Sequence, residues 1–280
     1  MIIDVHIHLS CPELASDRLP FLTGEIGLEA LYSDPAAKLV TTSELLGDLD
    51  LAGVDKALVM GFPFAKEDNA RRHNDWLLEE CARYPGRLLP LAAFDPRAHW
   101  AIRHAEAFLD AGGFGLGELC VYDEGLTPFL LDQLEALGAA CSVRSKVMLV
   151  HVNEPIGHQY PGKAPIEIGQ IFELVKRCQG VKLILAHFGG GLPFLASLRK
   201  EVRPYLENVR FDTAAMPFLF EPKTLKLATE LLGADYFLLG TDYPLLKTAR
   251  YLKYFKDASL NPSDIEAICG QAAASFLELQ

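Results

Sequence analysis

The chain has 280 residues, half of them hydrophobic, with 37 acidic side chains against 26 basic ones and a formal charge of −11. That balance argues against nucleic acid or an anionic membrane as partner, because phosphate binding needs clustered Lys and Arg. No apolar run approaches the ~18 residues a membrane span needs, no basic segment precedes the first strand, and Cys11, Cys81, Cys120, Cys141, Cys178 and Cys269 form no C-x-x-C pair. The expectation is a cytoplasmic protein with reduced, mostly buried thiols.

In chain order the pattern is apolar strand, loop, amphipathic helix, repeated. Strand one spans 2–8 and is followed by a loop over 10–42 rich in Pro, Gly, Ser and Asp, a length usually tied to function or motion. Thr42 or Ser43 caps a helix over 44–52 that Gly53 ends. Strand two covers 56–61. Helix 69–84 carries Trp76, Leu77 and Cys81 on its apolar side and stops at Pro85-Gly86. Strand three covers 88–94, and Asp95-Pro96 opens a helix in which Ala101, Ala105, Phe108 and Leu109 recur at helical spacing. Strand four (115–121) leads to helix 127–143, and strand five (146–152) to a loop over 153–164 and a helix with Ile168, Ile171, Phe172 and Val175 buried. Strand six (181–187) precedes a helix from Pro193. Strand seven (209–213) precedes helix 222–232. Strand eight (236–240) precedes a helix after Pro244, and a last helix covers 262–279.

Eight strands in near-continuous apolar runs, alternating with helices, is the pattern of buried parallel strands. The expected fold is α/β, a single-domain (β/α)8 TIM barrel over 1–280, close to the usual size of ~250 residues. A doubly wound open sheet is the alternative, but no G-x-G-x-x-G follows strand one and no P-loop occurs.

In such a barrel the chemistry sits at the carboxyl ends of the strands. In Asp4-Val5-His6-Ile7-His8, period-two alternation puts Asp4, His6 and His8 on one face, with His6 and His8 ~6.5–7 Å apart along the strand. Strand four carries Glu118, strand five ends in His151, strand six in His187, strand seven supplies Asp212 and Thr213, and Asp242 follows strand eight. Each alone has a plain structural reading: a hydrogen-bonded core histidine, a helix cap, half of an ion pair. Together on one rim, His6, His8, Glu118, His151, His187 and Asp242 form a carboxylate–imidazole set suited to zinc, manganese or iron.

On the strand-one motif, His151, His187 and Asp242, the chain resembles the amidohydrolase superfamily. Leu185-Ala-His-Phe-Gly-Gly-Gly191, Leu239-Gly-Thr-Asp-Tyr-Pro-Leu245 and Ile268-Cys-Gly-Gln-Ala-Ala-Ala274 look most like the amidohydrolase-2 group, which includes aminocarboxymuconate-semialdehyde decarboxylase; Gln271 stands where Asn is more usual. The resemblance covers essentially the whole chain. It implies His6, His8, His151 and Asp242 as ligands of one metal, with His187 as acid and base beside it. Gly-x-Gly-Glu at Glu118 is instead similar to the TatD-like and phosphotriesterase-like branches, where a group at that place bridges two metals. On that pattern His6, His8 and Asp242 hold one ion, and His151 and His187 the other. One or two ions stay open.

The first functional expectation is a metal-dependent hydrolase, zinc foremost, with Asp242 and His187 catalytic, cleaving an amide, lactone or ester of a small cyclic or carboxylated substrate. The alternative is a decarboxylase on the same site, and a TatD-like nuclease is a third reading that the acidic composition opposes. His158, Tyr160 and Lys163, in the loop after strand five, are candidates to hold a substrate carboxylate or hydroxyl. Gly189-Gly190-Gly191 binds an oxyanion or simply turns the chain. Cys120 shares Glu118's face, and Asp4 lies deeper, expected to orient an imidazole. The 10–42 loop is read as a lid or a homo-oligomer contact, and His73, His99 and His104 as surface or packing residues.

Overall fold

A computed structural model describes residues 1–280. Eight parallel strands run in sequential order: β1 (Ile3–His8), β2 (Lys56–Met60), β3 (Leu88–Ala92), β4 (Gly115–Leu119), β5 (Val147–Val150), β6 (Lys182–Leu185), β7 (Val209–Asp212) and β8 (Phe237–Leu238). The ring closes where Val5 N–H donates to the Leu239 carbonyl (2.8 Å), Asp242 N–H to that of His6 (2.9 Å) and His8 N–H to that of Tyr243 (2.7 Å). This is the expected TIM barrel.

Alternation along the strands sorts side chains into two layers. Ile3, Val5, Leu58, Met60, Leu91, Val147, Leu149, Ile184 and Leu238 pack together with Ala272, Ala273, Phe276 and Leu277 of the closing helix Ala272–Leu277. Ala57, Val59 and Ile7 pack outward against Leu45 and Leu49 of helix Thr42–Ala52 and Leu77 of helix Glu67–Ala82. Ile3 and Ile7 thus lie in different layers, because the β1–β2 register shifts between Asp4 and Ile7. A bulge breaks period-two parity, so Asp4 does not share the histidine face. It lines a crevice on the outer side with Ile7, Leu45 and Thr241.

The 10–42 segment is not a plain loop: it holds short helices Pro12–Ser16, Leu19–Leu22 and Ile26–Tyr32. Its polar turn residues hid the apolar anchors Leu14 and Leu28, which are buried in the main core together with Phe21 and Tyr32. The helix cap is Thr41, whose capping box with Glu44 closes the first turn, and Gly53 ends the helix at φ 67°. The last helix is broken by a π turn, Ala267–Gln271, where a Cβ on Gly270 would lie 2.1 Å from the Met1 carbonyl oxygen. His73 and His104 are buried packing residues, whereas His99 is exposed. No helix is long and apolar enough to cross a membrane.

Candidate metal centre

The strand ends bring His6, His8, Glu118, His151, His187 and Asp242 to one end of the barrel, with Asp212 beneath them. All except Asp242 are buried; the Asp242 side chain is 15% exposed. The backbone is bent to aim them. His187, Phe188, Ala215 and Asp242 hold left-handed φ of 51°, 60°, 54° and 56°, strain of ~1–3 kcal/mol each that the surrounding packing must hold in place. Gly240 lets β8 approach β1 and β7: a Cβ there would lie 2.9 Å from His6 Cβ and 3.1 Å from Asp212 Cβ.

Four donor atoms converge. His6 Nε2 lies 3.2 Å from His8 Nε2, 3.8 Å from Glu118 Oε2 and 3.7 Å from Asp242 Oδ1; His8 Nε2 lies 3.7 Å from Glu118 Oε2 and 3.5 Å from Asp242 Oδ1. Ligands ~2.1 Å from a tetrahedral ion stand ~3.4 Å apart, so these edges fit one divalent cation. The tautomers agree. His6 Nδ1–H donates to Asp212 Oδ2 (2.8 Å) and His8 Nδ1–H to the Gly61 carbonyl (2.8 Å), leaving each Nε2 with its lone pair toward the centre. Two bare lone pairs 3.2 Å apart repel, and either a proton on one of them or a cation between them relieves that repulsion.

The electrostatics make the same demand. Burial opposes charge on His6, yet Asp212, Glu118 and Asp242 outweigh it and lift its pKa to about 10. Burial likewise opposes charge on His187, but the Glu118 hydrogen bond and charge lift it to about 9. Burial and the His6 charge hold His8 below its ordinary value. Burial penalises the Glu118 charge, but His151 and His6 keep its carboxyl well below the usual carboxylate range. Three carboxylates around these imidazoles thus call for positive charge at the centre.

Glu118 also faces a second group. Its Oε1 accepts from His151 Nδ1 (2.9 Å) and lies 3.3 Å from His187 Nε2. His187 Nδ1 donates to the Ala214 carbonyl (3.2 Å), and its own N–H to Asp212 Oδ1 (2.9 Å). His6, His8 and Glu118 form one possible ligand triad, and Glu118, His151 and His187 another.

The expected substrate-binding residues are engaged within their own loop. Lys163 Nζ donates to Glu154 Oε1 and to the carbonyls of Ile156 and His158, Tyr160 donates to Glu154 Oε2, and His158 is exposed. Asp4 orients no imidazole: it accepts from Thr241 Oγ1 (2.6 Å) and the Thr241 and His6 N–H groups, and burial lifts its pKa to about 7. Asp212 takes that place; its signal was a carboxylate ending a strand like the others. Burial, then the Glu118 charge, raises the Cys120 thiol well above its ordinary value. The run 189–191, all left-handed, turns the chain into helix Leu192–Leu198.

Sequence reasoning also missed the aromatic walls. Phe62 stacks on His8 (5.6 Å, 11°), Tyr32 meets Phe62 edge-on (4.9 Å), and Tyr122 meets His151 edge-on (5.2 Å). No period marks such residues, since Tyr32, Phe62 and Tyr122 come from segments outside the strands.

The family model described as Amidohydrolase matches residues 3–279. Among curated proteins the chain is 24% identical over 308 residues to gamma-resorcylate decarboxylase of Rhizobium radiobacter, with 92% of each covered. Among solved structures it is similar to 5-carboxyvanillate decarboxylase of Sphingomonas paucimobilis (TM-score 0.71, 18% identity, 100% of this chain and 99% of that one). It is also similar to a dihydroxybenzoic acid decarboxylase of Polaromonas sp. JS666 with bound manganese and the inhibitor 2-nitroresorcinol (TM-score 0.67, 19% identity, 99% and 97% covered). The hydrolase expectation is overturned by these comparisons: the curated relative and both of these structures are named decarboxylases, as the alternative reading had it. The shared ligand chemistry explains the error, because the same imidazoles and carboxylates serve either reaction. Zinc is likewise not borne out, since the ion named in the Polaromonas structure is manganese.

Proposed function

The chain belongs to the amidohydrolase family, and from that premise we propose that it is a divalent-metal-dependent decarboxylase of a small aromatic carboxylate. The observation that carries this reading is the likeness, along the whole chain, to enzymes named decarboxylases. The site supports it with a buried acid beside a cation cradle and aromatic walls around both.

His6 Nε2, His8 Nε2, Glu118 Oε2 and Asp242 Oδ1 would hold the ion, manganese or zinc, which when bound supplies a Lewis acid for substrate oxygens. Phe62, Tyr32 and Tyr122 offer apolar faces to an aromatic ring. His187 is the acid. Its Nδ1 is committed to Ala214, so its Nε2 carries the mobile proton, and Glu118 stabilises the protonated ring. That proton passes to the ring carbon bearing the carboxylate. The carbon–carboxylate bond then breaks, its electrons return to the ring, carbon dioxide leaves, and solvent restores the proton on His187. Asp212 holds His6 and the His187 backbone at once, keeping acid and cradle in register.

Carbon dioxide release from 2,6-dihydroxybenzoate and 5-carboxyvanillate by manganese-loaded protein tests the reading. His187→Asn is expected to lower kcat by about 10²–10⁴-fold with metal content retained. An unchanged rate in that variant would remove His187 as the acid.

A further inference from the structure

We propose that the hydroxyls of Tyr32 and Tyr122 determine the specificity of the site: they read a neutral hydroxyl on the substrate ring, in a pocket that disfavours a ring carrying a second carboxylate. This deepens the decarboxylase reading and rests on it.

Other tyrosines spend their hydroxyls inside the chain. Tyr160 donates to Glu154 Oε2 (3.0 Å), Tyr243 to Asp48 Oδ2 (2.6 Å), Tyr251 to the Thr241 carbonyl (3.1 Å) and Tyr254 to the Phe220 carbonyl (3.1 Å). Tyr32 is only 9% exposed, yet its hydroxyl bonds nothing in the chain; burial first, then the Asp242 charge, raises it above the ordinary tyrosine range. The Glu118 charge acts on it too, so this hydroxyl lies toward the strand-end carboxylates. The Tyr122 hydroxyl has the Cys120 thiol beside it, a weak partner. Hydroxyls removed from water without a good partner are costly until a ligand or water bonds them.

The two tyrosines face one space. Tyr32 stands on the His8 side, through Phe62, and Tyr122 on the His151 side. Gly162 marks where their segments meet: a Cβ there would lie 3.1 Å from Leu31 Cδ2 and 3.6 Å from Tyr122 Cε1. The charges at the floor of this space are the carboxylates Glu118, Asp212 and Asp242. The cations of the covering segments are engaged. Arg18 Nη1 donates to the carbonyls of Tyr32 (3.3 Å) and Asp34 (3.0 Å), Lys163 to Glu154 and two carbonyls, and Arg97 to Asp95 and Asp123. On the proposed reaction the departing carboxylate lies beside His187. A second one would be desolvated near like charges with no cation to pair it. A neutral hydroxyl instead meets two O–H groups that can each donate or accept.

The test uses manganese-loaded protein at pH 7 and two readouts. Calorimetry measures binding of resorcinol and of phenol, which lacks one hydroxyl; resorcinol should bind about tenfold tighter. Combining Tyr32→Phe with Tyr122→Phe, which keeps both rings, should shrink that gap to about twofold or less, with manganese content and circular dichroism unchanged, and each single variant should lose part of it. Kinetics should give a kcat/KM for 2,6-dihydroxybenzoate about 100-fold or more above that for 5-carboxyvanillate. A folded double variant that keeps the gap overturns the role of the hydroxyls, and so does resorcinol binding no tighter than phenol in the unmodified chain. A kcat/KM for 5-carboxyvanillate equal to or above that for 2,6-dihydroxybenzoate overturns the selection against a second carboxylate. If neither acid loses carbon dioxide, the decarboxylase reading falls and that selection with it, while the resorcinol–phenol comparison still decides the hydroxyls.

Discussion

At His6 one imidazole serves two carboxylate environments: Nδ1 is tied to Asp212, and Nε2 points among His8, Glu118 and Asp242. Asp212 sets the tautomer and raises the basicity of the donor nitrogen. Asp212→Asn should therefore weaken Mn²⁺ binding about 10–100-fold with little change in fold, as dialysis against metal buffers would read; unchanged affinity would mean that the His6 ring is held by packing alone. Gly240 tests the same geometry from the backbone. An added methyl would press on His6 and Asp212 together, so Gly240→Ala should cost about 1–3 kcal/mol of stability and lower metal content, measured by urea unfolding and elemental analysis.

At the scale of elements, buried groups hold the site in place from behind. His73, on helix Glu67–Ala82, donates Nε2–H to the Leu9 carbonyl (3.0 Å), and its ring lies where a Cβ on Gly61 would collide. Gly61 in turn accepts from His8. Burial pushes the His73 pKa down to about 4, and its Nδ1 has no partner to receive a second proton. The unfolded chain therefore binds a proton below pH 6.5 that the folded chain refuses. Stability should fall as pH drops from 6.5 to 4, by at most about 3 kcal/mol from this group. His73→Gln should flatten that part of the acid slope in pH-dependent urea unfolding. The segment after β1 is anchored by Glu25, fully buried, which accepts from the Ala65 and Lys66 N–H groups and from Asn69 Nδ2 (2.6 Å). Glu25→Ala should speed hydrogen exchange across residues 12–34, including Tyr32, while the barrel strands stay protected. These elements also mark the limits of the sequence. All eight strands, and the polar residues at the ends of six of them, were readable, because buried parallel strands are apolar runs and a carboxylate or imidazole at their ends stands out. The helices at 12–32 were not, because short helices held by tertiary anchors leave no periodic signal. The β1 bulge was not, because nothing in Asp4-Val5-His6 marks where parity breaks.

For the molecule as a whole, the barrel joins seven polar residues from six strands separated by up to 236 positions, a gap such as His6 to Asp242 that no local motif spans. Closure of β8 onto β1 completes the cluster, since the hydrogen bond from Asp242 N–H to the His6 carbonyl joins the first strand to the last of these carboxylates. Fold and family were legible from these strand ends, but reaction type was not. Hydrolysis and decarboxylation use the same imidazole–carboxylate cradle and differ in what reaches the substrate, a water oxygen or a proton. That difference defines the most direct measurement. Manganese-loaded protein is given 2,6-dihydroxybenzoate or 5-carboxyvanillate in water enriched in both deuterium and ¹⁸O, and the product is weighed by mass spectrometry. The account predicts a product lighter by carbon dioxide, carrying one deuterium at the former carboxyl position and no ¹⁸O. A product that has gained ¹⁸O with its carboxylate intact would contradict it.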